Sequence, residues 1–197
     1  MNARRWSRGG TDVGGFLSGE RVTRRLAAIL AADVVGYSRL MGRDEAGTVA
    51  RLRRVRAERL EPVLLRRGGR IVKLTGDGAL VEFGSAVDAV RAAIEFQQAV
   101  SASNAGVPDE KRIVFRVGIH LGDLVVDGHD LYGDGVNIAA RLESLTRTAA
   151  YRTNIITSAA TLAALHDPKK FTPRPLAPAQ VKGRAEPVEI FAVASSS

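Results

Sequence analysis

The chain has 197 residues, 45% of them apolar and 25% charged, which is enough for one substantial core and too few for two domains of ordinary size. It has no cysteine, so disulfides, zinc-thiolate sites and thiol nucleophiles are excluded. The net charge of +8 raises the question of nucleic acid, but acids are spread among the positives and no aromatic platforms interleave with the arginines, so no nucleic-acid partner is expected.

Residues 1–23, rich in Gly, Arg and Ser, are expected to form a flexible basic leader. Arg4, Arg5 and Arg8 ahead of an apolar run imitate a signal peptide. That run starts too far in, follows directly on Arg24 and Arg25, and is interrupted by Asp33, which argues against export. No stretch approaches the ~20 apolar residues of a membrane span. The expectation is a cytoplasmic protein with one domain over 24–194 and a frayed tail at 195–197.

Leu26–Val35 is almost wholly apolar, as a strand buried on both faces should be. From Asp44 to Arg67 the apolar positions recur at helical spacing, with Pro62 expected to kink the helix or end its regular part and Gly68-Gly69 to stop it. Arg70–Leu74 and Ala79–Phe83 read as strands around Thr75-Gly76-Asp77-Gly78, a hairpin signal. Ala86–Val100 is helical and Asn104–Asp109 a polar loop. Ile113–Ile119 and Leu124–Val126 read as two strands, after which Asp127-Gly128 turns into a loop carrying Asp130. Gly135–Leu145 is a helix, Asn154–Thr157 a strand, and Ser158 caps a helix through Leu165. Pro173, Pro175 and Pro178 mark an extended linker before a last strand at Val188–Val193. The order is that of an α+β fold, a ferredoxin-like βαββαβ palm with C-terminal additions.

Two aspartates, Asp33 and Asp77, each sit at the mouth of a strand-like run and are followed within a few residues by glycine. In such a sheet the first strand lies beside the hairpin, so the two carboxylates can converge. Together with a backbone carbonyl, that of Val34, they could hold two divalent ions against phosphate. Gly36, Tyr37 and Ser38 follow at the start of a helical region, where exposed amides and a small residue let a triphosphate approach. Asn137 and Arg141 stand four apart and share a helix face. The Arg fork suits a transition-state phosphate and the Asn a ribose. Lys73 and Asp130 offer the donor and acceptor that adenine needs and guanine inverts. Lys73 and Asp77 are four residues apart, roughly 13 Å at ~3.3 Å per extended residue. They would therefore serve different nucleotides, with each site shared between two subunits of a homodimer.

The stretches AADVVGYSRLM, GGRIVKLTGDGALVEF, FRVGIHLGD, DLYGDGVNIAARLE and VKGRAEPVEIFAV, in this order, resemble the class III nucleotidyl cyclase catalytic domain, the adenylate and guanylate cyclases, over about residues 24–194. The resemblance implies conversion of ATP to 3′,5′-cyclic AMP and pyrophosphate, with Mg²⁺ or Mn²⁺ at two positions of a head-to-tail dimer interface. It implies metal-binding roles for Asp33 and Asp77, adenine recognition by Lys73 and Asp130, and transition-state roles for Asn137 and Arg141. It places Lys182 or Arg184 on the triphosphate. The chain departs from the family pattern at Asp123, where some members carry a phosphate-binding Arg after His-x-Gly, and in the long segment TRTAAYRTN after the Arg141 helix. Other outcomes consistent with the sequence are a nucleotide-binding, dimerising module without turnover and a guanylate cyclase. His120, His129 and His166 share no metal-site spacing.

Overall fold

The fold is built on one very apolar strand. In a computed structural model that describes residues 23–127, 130–148, 151, 153–181 and 185–194, strand β1 spans Thr23–Val34. It is paired along both edges and covered on both faces, which is why it reads as a continuous apolar run rather than an alternating one. Ala28, Leu30, Ala32 and Val34 point into the larger core, whereas Ala27, Ile29 and Ala31 point to the opposite layer. The strand begins at Thr23, inside the segment expected to be a leader; residues 1–22 and the tail 195–197 lie outside the described residues.

Helices α1 (Tyr37–Arg43) and α2 (Glu45–Val55) follow, the second capped by Asp44, whose carboxylate accepts from the Gly47 amide at 2.9 Å. The expected kink is a π-helical turn over Arg56–Leu60, directly ahead of α3 (Glu61–Arg67) and its Pro62. A proline ring crowds the carbonyl four residues back, here that of Glu58, and one extra residue in the turn relieves the clash. Gly68 closes α3, and β2 (Gly69–Leu74) and β3 (Ala79–Phe83) form the expected hairpin. Helix α4 (Ala86–Ser103) packs Ala89, Val90, Ala93, Phe96 and Val100 into the larger core, where the Phe96 and Phe115 rings meet edge to face at 4.8 Å.

Where two strands were expected, one runs unbroken: β4 spans Phe115–Asp127. Gly122 and Asp123 are poor strand formers, but β4 pairs with β1 residue for residue from Val34↔Phe115 to Thr23↔Val126, and that pairing overrides local propensity. The segment carrying Asp130, expected as a loop, is a short strand β5 (Asp130–Tyr132) folded back on β4. Helix α5 (Asp134–Leu145) crosses β1 and β4. It lies close because Gly118 has no side chain: a Cβ there would sit 2.2 Å from the Ala139 carbonyl oxygen and from the Glu143 nitrogen.

Strand β6 (Ile155–Ser158) runs parallel to β4, and Ser158 caps α6 (Ala159–Ala163), which ends two residues earlier than its apolar pattern predicts. The proline-rich segment is not merely a linker: β7 (Arg174–Pro175) pairs with the last strand, β8 (Ile190–Ala192), while Val188 makes an isolated bridge to Ala179. The eight-stranded sheet has the order β2-β3-β1-β4-β6-β8-β7, with β5 on β4. Its first half is the ferredoxin-like palm, and β6, β8 and β7 are the C-terminal additions.

Candidate active site

Strand pairing decides what surrounds Asp33. Asp33 lies opposite Arg116 in the β1–β4 register, so their side chains emerge as neighbours on one face. Arg116 donates to Asp33 Oδ2 at 2.8 Å and to the Val34 carbonyl at 3.4 Å, and its Nε lies 3.1 Å from Glu143 Oε1. Arg147, just beyond the end of α5, donates to the same Asp33 Oδ2 at 3.0 Å. Two acids and two arginines thus balance on the inner side of α5. Arg116 and Glu143 are buried and Arg147 is largely exposed. Burial raises the Glu143 carboxyl above its ordinary range and the Asp33 charge adds to this, against the pull of Arg116 and Arg147.

Asp77 comes to Asp33 from the β2–β3 turn. Thr75 closes this turn by donating its amide to the Gly78 carbonyl at 3.1 Å. A Cβ on Gly78 would lie 3.0 Å from the Ala32 carbonyl and 3.9 Å from Asp33 Oδ1, so the turn is pressed against the end of β1. Burial pushes the Asp77 carboxyl up, and its hydrogen bond and charge repulsion with Asp33 push it further. The Asp77 turn thus lies beside the end of β1 that carries Asp33. Since the chain bends at Thr75, the extended distance from Lys73 to Asp77 is an upper limit.

Gly36 holds the left-handed conformation, φ 65°, that starts α1. Tyr37 and Ser38 form the first turn, with Ser38 exposed. Lys73 is exposed on β2, and β5, which carries Asp130, comes against β2. The Asp130 side chain, Lys182, Arg184 and His129 lie outside what the structure describes. His120 is a core residue, its Nδ1 2.8 Å from Ser158 Oγ.

Asn137 and Arg141 are exposed on the outer face of α5 and make no hydrogen bond or ion pair among the described residues. With Ala140, Ser144 and Val181 they line an open cleft of ≈ 500 Å³ whose walls include neither Asp33 nor Asp77. Helix α5 therefore turns Glu143 inward toward its own carboxylate pair and turns Asn137 and Arg141 outward.

Sequence reasoning missed Arg56, Arg116, Glu143 and Arg147. The last two stand at helical i, i+4 spacing, and Arg116 becomes visible once β4 is set against β1. Arg56, half-buried in the π-turn, donates from one nitrogen to the carbonyls of Thr75, Gly76 and Gly78 at 3.0, 3.0 and 3.2 Å.

Solved structures share this arrangement of strands and helices. A solved structure from Silicibacter pomeroyi, described as an adenylate/guanylate cyclase/hydrolase, is 37% identical and superposes with a TM-score of 0.79 over 89% of this chain and 100% of that one. The guanylyl cyclase Cya2 is 27% identical with a TM-score of 0.72, over 89% of this chain and 95% of that one. A Rhizobium meliloti (strain 1021) protein named "Putative adenylate cyclase 3" is 57% identical over 126 residues, 64% of this chain and 22% of the relative. The chain spans well under half the length of that relative and of the other curated cyclases it matches. The sequence profile described as "Adenylate and Guanylate cyclase catalytic domain" matches residues 23–195, and the chain belongs to that family.

Proposed function

We propose that the chain is an adenylate cyclase acting as a homodimer, which joins the 3′-oxygen of ATP to its α-phosphorus and expels pyrophosphate, giving 3′,5′-cyclic AMP. The observation that carries this reading is the division of the chemistry on one chain: Asp33 and Asp77 lie together, while Asn137 and Arg141 face outward with no side-chain partner among the described residues. A second copy would supply what each half lacks.

Members of the family generally use divalent metals, and the donor set fits them. Two carboxylates lie together, and a cation would relieve the burial and repulsion that push Asp77 up. Among the described residues no group of three or more His, Cys, Asp or Glu could hold a metal. The remaining positions would fall to the triphosphate and water, the usual pattern for Mg²⁺. Asp33 through Oδ1, Asp77 and the Val34 carbonyl would hold Mg²⁺ or Mn²⁺, which when bound supply charge for the triphosphate and acidity for the attacking oxygen.

The protein's own share is positioning. The Gly36 turn brings the amides of Tyr37 and Ser38 to the phosphates, and Lys182 or Arg184 adds positive charge there. Lys73 donates to adenine N1 and Asp130 accepts from its 6-amino group. Arg141 from the partner subunit spreads its fork over the charge that builds on the α-phosphoryl group, and Asn137 fixes the ribose.

The test is cyclic nucleotide production by purified protein given ATP or GTP with Mn²⁺ or Mg²⁺. Cyclic AMP that disappears in Asp77→Ala is the expected result. Cyclic GMP would reverse the base assignment, and ATP binding without either product would show a dimerising module without turnover.

A further inference from the structure

Resting on the reading of Asp33 and Asp77 as the metal-binding pair, we infer that Arg56 is a positioning residue for the nucleotide site, its guanidinium holding the Asp77 turn in the attitude that meets Asp33. The turn needs such a hold. Asp77 lies between two glycines, which leave its backbone free to sample many conformations. In the structure the turn adopts one in which the carbonyls of Thr75, Gly76 and Gly78 all point at one spot. Three carbonyl dipoles aimed together repel unless a cation sits where they meet, and the Arg56 guanidinium does.

The arginine reaches that point because it opens the π-turn that Pro62 enforces. The extra residue rotates the start of the turn relative to a regular helix and brings this side chain under the hairpin. A π-turn inside a helix is a recurrent mark of functional sites. Burial lowers the Arg56 guanidinium from its ordinary value, and the nearby Asp77 carboxylate opposes this by favouring the charged form. Arg56 makes its contacts with the carboxylate turn, through the three carbonyls. It contacts neither substrate nor metal, and acts through the main chain around Asp77.

The test measures Mn²⁺ binding to the nucleotide-free chain by electron paramagnetic resonance, beside activity and melting temperature, for the parent, Arg56→Gln, Arg56→Lys and Asp77→Ala. Arg56→Gln should weaken Mn²⁺ binding roughly tenfold, as loss of a partner that orients a metal ligand commonly does. Saturating Mn²⁺ should largely restore its kcat, and amide exchange at residues 75–78 should quicken. Arg56→Lys, with three donors on a shorter stem, should fall between. Parent-like Mn²⁺ affinity in both variants, or a kcat loss that saturating metal does not restore, overturns the inference. If Arg56→Gln does not fold, Arg56→Lys decides alone, a shifted metal constant supporting the role and an unshifted one refuting it. Parent protein that binds no Mn²⁺ in an Asp77-dependent way fails the metal reading itself, and the inference falls with it.

Discussion

Asp33 is held by arginines at Oδ2, and its Oδ1 lies toward the Asp77 turn at Gly78. Arg147 is the exposed member of that set and competes with a cation for the same carboxylate. Arg147→Gln should therefore tighten Mn²⁺ binding by up to about fivefold, the equivalent of ~1 kcal/mol for a partly exposed ion pair, measured by Mn²⁺ titration. Arg116 behaves differently because it is buried between two acids. Arg116→Ala removes the buried partner of both, leaving only the exposed Arg147 beside them, and should cost about 3–5 kcal/mol in urea denaturation. The Asp77 carboxyl, raised by burial and by Asp33, holds its proton more tightly in the folded chain than in the unfolded one. Its contribution is thus most favourable at acid pH and is lost as pH rises through the raised pKa. Asp77→Asn should melt higher than the parent by a margin that widens from about pH 4 to about pH 7 without metal, in a calorimetric series. The two aspartates were legible because each interrupts or closes an apolar run where a core residue has no use for charge. Their arginine partners were not, because Arg116 and Arg147 meet Asp33 only after distant segments are brought together.

The strands and helices with long, regular patterns were read within a few residues of where they lie, β1 and the β2–β3 hairpin above all. The misread strands have one cause, which is that pairing outweighs local preference. Gly122 and Asp123 look like a break, yet β1 continues opposite them and β4 continues too. Arg174 and Pro175 look like linker, yet β8 has a free edge that they fill. The π-turn was legible only as a kink, since a proline announces trouble in the preceding turn without specifying its remedy. Helix α5 has a requirement that its own sequence does not display, namely a glycine beneath it on β4. Gly118→Ala places a methyl group 2.2 Å from main-chain atoms of α5. It should cost about 1–3 kcal/mol, as overpacking does, and lower activity, checked by denaturation and cyclase assay on the same preparations.

At the level of the whole molecule, the proposed site exists only when two chains meet. Asp33→Ala and Asn137→Ala chains, each inactive alone, should recover about a quarter of parent activity when mixed, because half of the dimers are mixed and each mixed dimer keeps one intact site. Mixtures shown to contain the mixed dimer yet lacking activity would reject shared sites. No helix among the described residues is long and apolar enough to cross a membrane. In the proposed dimer, Gly118 would bear on how the two sites communicate. At that point α5 rides on β4 main chain to main chain, with no side chain between them to roll or give. A rearrangement around Asp33 that tilts β4 would carry Asn137 and Arg141 with it as one rigid piece, and in a dimer those two residues belong to the neighbouring site. The absence of one methyl group would then be what lets an event in one active site be felt in the other.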